Sequence, residues 1–494
     1  MPRILTVLTL FLTGLLGQAV SAQQVTFDAT TGVKIELPAN QPNTLQVYVY
    51  DQHTNLIING KFEHFPQGVD ESTSKRIRVF GGDLKDEVTL QGFSTVAKPE
   101  IYLKGGNDLF VNKLNREVFV DGGPGNDEIN CGNFGSSVRP GPGDDIVNGG
   151  AMKDWVMDYG DYNGDDQYVL RGGHDEVEDA WGNDTFELGS GNDRCVAVNG
   201  KKVIYAQDGH DDVICTGDVK VFLGEGDDYA KVIYPESVEI IGGDGDDEII
   251  VLPTRHSFPY YGSTIIPLSG SRLIDIQGGP GNDVIRACFV SSLKQVETYF
   301  ANLDGGDDHD VIIAKTGGAV FLNMTGKQGH DLMGLAHSGD EDEGDDAFGT
   351  KGSGDKNLGG SEVVEGGEGN DQMVYFPPMK DLGGVYGNSS WSGWKLPMKT
   401  IRPAPVFKGG PGQDQFAGCR WYAWSKYWIF NPAYTKFFKI MPYDGATLYD
   451  YDKTDYFQDY NPNLGDQQKF IAVETLAPAF LFPSLPLAEL ARGP

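Results

Sequence analysis

Short stretches in which apolar and polar residues alternate recur along the chain, and many of them end at paired glycines. Four examples are EIYLKGG ending at Gly106, EVFVDGG ending at Gly123, VEIIGGDG ending at Gly245 and LIDIQGG ending at Gly279. Alternation with a period of two is typical of a β-strand, and glycine pairs favour tight turns. The pattern therefore predicts an all-β fold whose unit is strand, glycine turn and strand.

This unit repeats with a fixed motif. Seven segments read G-x-G-[N/D]-D-x-apolar, and they begin at residues 123, 141, 189, 224, 243, 279 and 367. Looser copies lie between them. In one tandem stretch, Asp166, Asp175, Asp184 and Asp193 follow one another at nine-residue intervals. A fixed period of this kind predicts a solenoid rather than several separate globular domains.

The repeated segments resemble the hemolysin-type (RTX) calcium-binding family, whose repeat is a glycine- and aspartate-rich nonapeptide. The resemblance covers roughly residues 80 to 415. It implies a right-handed parallel β-roll, or β-helix solenoid, with two sheets, about eighteen residues per coil and calcium ions held in the turns. Segments outside the repeats are expected to cap this solenoid at both ends.

The motif aspartates are predicted to form two rows, one along each edge of the roll. Stacked strands lie about 4.8 Å apart, so carboxylates one coil apart repel each other unless a cation lies between them. Calcium takes six to eight oxygen ligands at about 2.3–2.6 Å, which carboxylates and the carbonyls of glycine turns can supply. The predicted rows are Asp127, Asp145, Asp166 and Asp184 on one edge, and Asp154, Asp175, Asp193, Asp211, Asp228 and Asp247 on the other.

The predicted calcium ligands extend beyond these rows to Asp283 and to the motif glycines. The candidate aspartates are Asp127, Asp145, Asp166, Asp175, Asp184, Asp193, Asp211, Asp228, Asp247 and Asp283. The candidate glycines are Gly123, Gly125, Gly141, Gly143, Gly189, Gly191, Gly224, Gly226, Gly243 and Gly245. Four histidines in the turns, His174, His210, His309 and His330, are interpreted as solvated turn residues rather than metal ligands.

Residues 1–22 resemble a secretory signal peptide, because a short apolar stretch lies between Arg3 and a small-residue site ending at Ala22. We therefore expect a secreted, extracellular protein without membrane insertion. The remaining chain divides into an N-terminal β region or cap (23–78), calcium-binding repeats (79–415) and an aromatic-rich C-terminal region or cap (416–494). Loop insertions are predicted at 252–271, 334–362 and 376–405.

Net charge narrows the range of partners. With 71 acidic and 39 basic residues, the formal charge of -32 opposes binding to nucleic acid or to anionic membranes and favours cations. The cysteines Cys131, Cys195 and Cys215 fall at positions that face the interior and are predicted to be buried small hydrophobic residues. Asn183, Asn323 and Asn388 begin N-glycosylation sequons.

Two hypotheses for function remain open from the sequence. The first is a non-catalytic calcium-binding protein with a binding or structural role, folded and stiffened by Ca²⁺, whose partner is an extracellular polysaccharide or a cell surface. The second is an extracellular enzyme acting on polysaccharide, with the repeats as its scaffold. No H-E-x-x-H motif occurs, and no catalytic residue or organic cofactor is predicted.

Overall fold

A computed structural model of the chain describes the residues that follow. They are 24–28, 32–50, 53–65, 76–93, 98–158, 164–252, 271–290, 298–317, 319–337, 361–369, 371–376, 406–408, 415–420, 441–442 and 467–468. The predicted signal peptide, Asn388 and most of the predicted loop insertions and C-terminal region lie outside these residues. Within them the fold is all-β, as predicted. These residues include no helix that is long and apolar enough to cross a membrane.

The chain divides into two compact units, residues 1–212 and 213–494. The division falls inside the predicted repeat region. Strands of the first unit are β1 (Gln24–Asp28), β2 (Gly32–Glu36), β3 (Asn43–Tyr50), β4 (His53–Ile58), β5 (Lys61–Phe65), β6 (Arg76–Phe80), β7 (Asp86–Phe93), β8 (Glu100–Tyr102), β9 (Leu109–Lys113), β10 (Val118–Asp121), β11 (Glu128–Asn130), β12 (Ser136–Arg139), β13 (Ile146–Asn148), β14 (Trp155–Asp158), β15 (Gln167–Val169), β16 (Glu176–Asp179), β17 (Asp184–Ser190), β18 (Arg194–Ala197) and β19 (Lys201–Asp208).

The remaining strands belong to the second unit, except that the first residue of β20, Asp212, lies just before the division. They are β20 (Asp212–Glu225), β21 (Tyr229–Asp244), β22 (Glu248–Leu252), β23 (Ser271–Pro280), β24 (Val284–Val290), β25 (Thr298–Asp307), β26 (Val311–Gly317), β27 (Ala319–Gly329), β28 (Leu332–His337), β29 (Ser361–Glu365), β30 (Glu368–Gly369), β31 (Gln372–Phe376), β32 (Val406–Lys408), β33 (Gln415–Arg420), β34 (Met441–Pro442) and β35 (Gln467–Gln468).

In the first unit each strand from β8 to β17 pairs in parallel with the strand two places along the chain, so two strands form one coil. Val118 pairs with Ser136, and Ile146 pairs with Gln167. The same parallel pairing continues back to β2 and β3 through β6 and β7. Strands β1, β4 and β5 add antiparallel pairs at this N-terminal side.

The second unit repeats the parallel pairing with longer coils. One series of strands runs β21, β23, β25, β27, β29 and β32, and the other runs β22, β24, β26, β28, β31, β33 and β35. Ser237 pairs with Leu273, and Ser271 pairs with Thr298. The longer intervals contain residues 253–270 and 291–297, which lie outside the described part of the chain.

Side-chain alternation fills the interior of the first unit with apolar residues from successive strands. An internal column consists of Ile129, Val147, Tyr168, Phe186 and Ile204, which are all fully buried. Consecutive members pair across the parallel strands. Burial of one such side chain stabilises the fold by about 1.5–3 kcal/mol, so a column of this kind contributes to stability at each coil. The predicted burial of Cys131, Cys195 and Cys215 is confirmed.

Glycine is required in the turns because neighbouring coils approach closely there. Gly125 has φ +144° and Gly143 has φ +136°, a backbone conformation that other residues rarely adopt. A Cβ atom on Gly125 would overlap the carbonyl oxygen of Gly106, and one on Gly143 would overlap that of Gly125. Carbonyl oxygens of consecutive coils therefore lie directly against the next turn.

Candidate metal centre

The turn from β10 to β11 shows how each motif aspartate is placed. After Asp121 the chain passes through Gly122, Gly123 and Gly125, and Asp127 follows immediately before β11. The Asp127 side chain folds back inside the turn. A Cβ atom on Gly122 would lie only 2.5 Å from Asp127 Oδ2, so the glycine leaves room for the carboxylate. All ten predicted ligand glycines have positive φ: Gly123, Gly125, Gly141, Gly143, Gly189, Gly191, Gly224, Gly226, Gly243 and Gly245.

Inside the first unit the motif aspartates form two hydrogen-bonded rows. In each row the backbone N–H of one aspartate donates to Oδ1 of the aspartate one coil further along. The first row runs Asp86 to Asp108 (2.7 Å), Asp108 to Asp127 (2.8 Å), Asp127 to Asp145 (2.7 Å), Asp145 to Asp166 (2.7 Å) and Asp166 to Asp184 (2.8 Å). The second runs Asp154 to Asp175 (2.6 Å), Asp175 to Asp193 (2.7 Å) and Asp193 to Asp211 (2.7 Å).

The described residues of the second unit form a row with the same hydrogen-bond pattern. It runs Asp228 to Asp247 (2.9 Å), Asp247 to Asp283 (2.9 Å), Asp283 to Asp310 (2.9 Å), Asp310 to Asp331 (2.9 Å) and Asp331 to Asp371 (3.0 Å). Loop insertions lengthen the sequence interval between members, but they do not change the position of the carboxylate in the turn. The row therefore continues where the nine-residue period is lost.

The second carboxylate oxygen, Oδ2, is different in most of these residues. It is buried and has no hydrogen-bond partner within the described part of the chain. This holds for Asp108, Asp127, Asp145, Asp175, Asp193, Asp247, Asp283, Asp310 and Asp331. A buried carboxylate oxygen without a donor costs several kcal/mol unless a proton or a cation neutralises it. A series of such atoms in successive turns fits a series of oxygen-ligated cations.

Burial also raises the pKa values of these carboxyl groups. The pKa of Asp145 rises from 3.8 to about 9, mainly because burial removes water, while the Asp127 N–H lowers it and neighbouring carboxylates raise it. The pKa is about 8 for Asp175 and Asp310, again mainly because of burial. Without a cation these groups would therefore hold protons at neutral pH, whereas a bound cation would favour the charged form.

A second ladder runs along the outside of each edge, formed by the residue just before each motif aspartate. Here the hydrogen bonds run in the opposite direction: Asp144 N–H donates to Asn126 Oδ1 (3.2 Å), and Asn183 N–H donates to Asp165 Oδ1 (3.0 Å). The four predicted turn histidines belong to these ladders and are exposed, as expected: His174, His210, His309 and His330. For example, His174 Nδ1 accepts a hydrogen bond from the Asn192 N–H (2.8 Å).

Both rows of the first unit begin at a residue that is not an aspartate. Asn43 Nδ2 donates to Asp86 Oδ1 (2.7 Å), and Ser136 Oγ donates to Asp154 Oδ1 (2.6 Å). The Oδ2 atoms of these first aspartates accept backbone N–H groups four residues earlier in the chain, at 2.6 and 2.8 Å. The first carboxylate of each row is thus satisfied by the protein alone.

The predicted ligands Asp166 and Asp184 also differ from the rest of their row. Tyr168 Oη donates a hydrogen bond to Asp166 Oδ2 (3.1 Å), and Lys202 Nζ forms an ion pair with Asp184 Oδ2. Both partners also contact Asp179, which is buried: Tyr168 Oη lies 3.0 Å from Asp179 Oδ2, and Lys202 Nζ donates to Asp179 Oδ1. The motif alone predicts the same environment for every row member. The available signals were Lys202, which stands 18 residues after Asp184 at the position of the next row member, and Tyr168, two residues after Asp166.

Asp158, Asp166 and Asp179 bring carboxylate oxygens within 4.8 Å of one another in this region, and all three are buried. Burial raises the pKa of Asp158 to about 8, with Asp179 and Asp166 adding to the shift. Burial lowers the pKa of Lys202, but Asp179 and Asp184 outweigh it and leave the pKa raised. The charged ammonium is therefore the favoured form of Lys202. This group of residues has more carboxylates than cationic side chains.

The rows contain further aspartates that were not among the predicted ligands: Asp86, Asp108, Asp310, Asp331 and Asp371. Four of them are preceded by glycines in a degenerate copy of the motif, such as GGNDLFV for Asp108 and GKQGHDLM for Asp331, whereas Asp371 belongs to the full motif GEGNDQM that begins at Gly367. The glycines that precede these aspartates are the sequence feature from which they could have been predicted. The predicted members share the same burial, since the ten candidate aspartates are at most 3 % exposed.

No protein family, curated protein sequence or solved structure matches this chain.

Proposed function

We propose that this chain is a secreted calcium-binding repeat protein with a non-catalytic binding or structural role, folded and stiffened by Ca²⁺. The observation that carries the proposal is the series of buried Oδ2 atoms without hydrogen-bond donors in most of the described motif turns. These atoms need a neutralising partner, and they recur in successive coils within each row. The resemblance of the repeats to the hemolysin-type (RTX) family supports the same conclusion.

Calcium fits these turns better than a proton or a smaller ion. Equivalent atoms in neighbouring coils are separated by about the inter-strand distance of ~4.8 Å, which is twice a Ca²⁺–oxygen distance of about 2.4 Å. One ion between two coils would thus reach a carboxylate from each. The motif glycines leave no side chain in the turn, so backbone carbonyls can serve as additional ligands, and Ca²⁺ tolerates this irregular oxygen geometry.

The proposal includes finer features of the fold and location. The roll is right-handed, residues 23–78 and 416–494 cap its ends, and residues 1–22 direct secretion. Right-handed winding is the general preference for parallel strands joined by crossovers. An extracellular polysaccharide or a cell surface as partner stays a prediction.

Calcium removal tests the proposal. In EDTA the buried carboxyl groups of the rows must take up protons for the chain to fold, so we expect less β-structure by circular dichroism and a lower melting temperature than in millimolar Ca²⁺. Isothermal titration calorimetry should show saturable binding of several ions per chain. Identical spectra and melting with and without calcium, together with no measurable binding heat, would refute the proposal and leave protonated aspartates as the explanation of the rows.

A further inference from the structure

Lys202 occupies the row position where another motif aspartate would be expected. In the parallel register of β17 and β19, Lys202 is the Cα partner of Asp184. Asp184 is itself the last aspartate of the first row, whose members pair in the same way from coil to coil. The Lys202 side chain is 1 % exposed, which is unusual for a lysine. Its position follows from the register, and its burial shows that it points into the turn.

The Lys202 ammonium contacts two carboxylates inside the roll. Nζ lies 2.7 Å from Asp179 Oδ1 and forms a second, shorter ion pair with Asp184 Oδ2. All three side chains are buried. Asp184 Oδ2 is equivalent to the atoms that lack a hydrogen-bond donor in Asp108, Asp127 and Asp145 of the same row. At Asp184 the protein supplies a positive charge to the atom that elsewhere in the row lacks one.

Tyr168 provides a protein partner for Asp166, the row member one coil before Asp184. Its hydroxyl lies 3.1 Å from Asp166 Oδ2 and 3.0 Å from Asp179 Oδ2. Asp166 Oδ2 is thereby also provided with a protein partner. Atoms without donors in this row therefore stop at Asp145, and the last two aspartates use a tyrosine hydroxyl and an ammonium group.

We propose that the Lys202 ammonium takes the place of a calcium ion in the last turn of the first row, so that ion binding along this row ends before Asp184. The inference rests on the proposed calcium-binding function. It assigns Lys202 the role of a covalently attached cation, which closes the row without a further metal site. The row ends at Asp184 because the following coil carries Lys202, and not a further aspartate, at the paired position.

The start of each row supports this reading. Asn43 and Ser136 stand at the first positions and satisfy Asp86 and Asp154 by hydrogen bonds instead of by charge. Those first aspartates already receive backbone N–H groups at Oδ2, so no cation is required there. At Asp184 the Oδ2 atom instead faces Asp179 through the ammonium, and two carboxylates require a positive charge between them.

The test replaces Lys202 by methionine, an unbranched side chain that is one atom shorter and carries no charge. Lys201→Met is the matched control, because Lys201 is the exposed neighbour and its loss changes the net charge equally. Calcium per chain is measured by elemental analysis of the full chain after equilibration in excess Ca²⁺. Melting temperatures are measured in Ca²⁺ and in EDTA.

If Lys202 replaces an ion, Lys202→Met binds about one more Ca²⁺ per chain than wild type, melts far below wild type in EDTA and recovers most of the difference in Ca²⁺. Lys201→Met should keep the wild-type ion count. An unchanged ion count in Lys202→Met, with equal destabilisation in both conditions, would overturn the inference while the proposed function stands. Wild-type protein that binds no Ca²⁺ would instead overturn the proposed function.

Should Lys202→Met not fold, Lys202→Asp provides the second variant, since it restores the carboxylate that the row position normally carries. We expect it to fold in Ca²⁺ with an increased ion count and to be unfolded in EDTA. Failure of both variants to fold at any Ca²⁺ concentration would also overturn the inference, because the position would then require an ammonium group that no metal ion can replace.

Discussion

Replacing Asp145 by asparagine should have opposite effects on stability with and without calcium. Asp145 is 1 % exposed, accepts the Asp127 N–H through Oδ1 and has a buried Oδ2 with no donor in the described residues. In EDTA at neutral pH, folding forces this carboxyl to take up a proton. Asparagine has nearly the same shape, can accept the same N–H and needs no proton. The substitution therefore removes a cost in EDTA and removes a metal ligand in Ca²⁺.

The size of the effect follows from linkage. Burial raises the pKa of Asp145 from 3.8 to about 9. A folded-state pKa above the unfolded value means that the group's contribution is fully present below pH 3.8 and is lost as pH rises toward about 9. At about 1.36 kcal/mol per pH unit, the cost of the proton is about 2 kcal/mol at pH 5 and about 4 kcal/mol at pH 7. These are upper limits for the stabilisation gained in EDTA.

Urea unfolding followed by circular dichroism, at pH 5 and pH 7, measures this directly. In EDTA we expect Asp145→Asn to have a higher free energy of unfolding than wild type, with a larger gain at pH 7. In saturating Ca²⁺ the order should reverse. Asp144→Asn is the control, because Asp144 belongs to the exposed outer ladder, and its effect should be small in both conditions. Equal destabilisation by Asp145→Asn in EDTA and in Ca²⁺ would refute the reasoning.

Three further predictions concern the ion, the pH and the turns. Excess Mg²⁺ should leave the melting temperature near its EDTA value, because Mg²⁺ requires octahedral ligands at about 2.0–2.1 Å; melting equal to that in Ca²⁺ would indicate general charge screening instead. In EDTA the wild-type melting temperature should fall as pH rises from 5 to 8, since burial raises the pKa of Asp175 and Asp310 to about 8 and the protonated forms are lost across that range; a flat profile would contradict this. Gly125→Ala should cost more than about 2 kcal/mol in urea unfolding, because the new Cβ overlaps the Gly106 carbonyl at φ +144°. Gly60→Ala, with φ +77° and open space around the Cβ, should cost only about 1 kcal/mol, and equal losses would count against close stacking of the coils.

The repeat period accounts for most of what could be predicted. Parallel strands stack in register, and side chains alternate between the two faces, so a motif that returns after two strands fixes which residues become neighbours. This is why Asp127 and Asp145 are neighbours in one row, and Asp175 and Asp193 in the other, as expected from the sequence. It is also why Cys131 lies inside the roll.

The sequence by itself determined the all-β class, the parallel stacking unit and the turn position of each motif aspartate, because these depend on local periods and on glycine stereochemistry. Only the tertiary structure decided which carboxylate oxygens have protein partners. Tyr168 and Asp179 are 11 residues apart, and Lys202 and Asp179 are 23 apart, intervals that match neither the half-coil nor the coil. Such contacts join buried side chains on strands of the two alternating series, β15 and β19 on one side and β16 on the other. The distances between such side chains depend on how the coils pack around the core, and the repeat period in the sequence does not determine them.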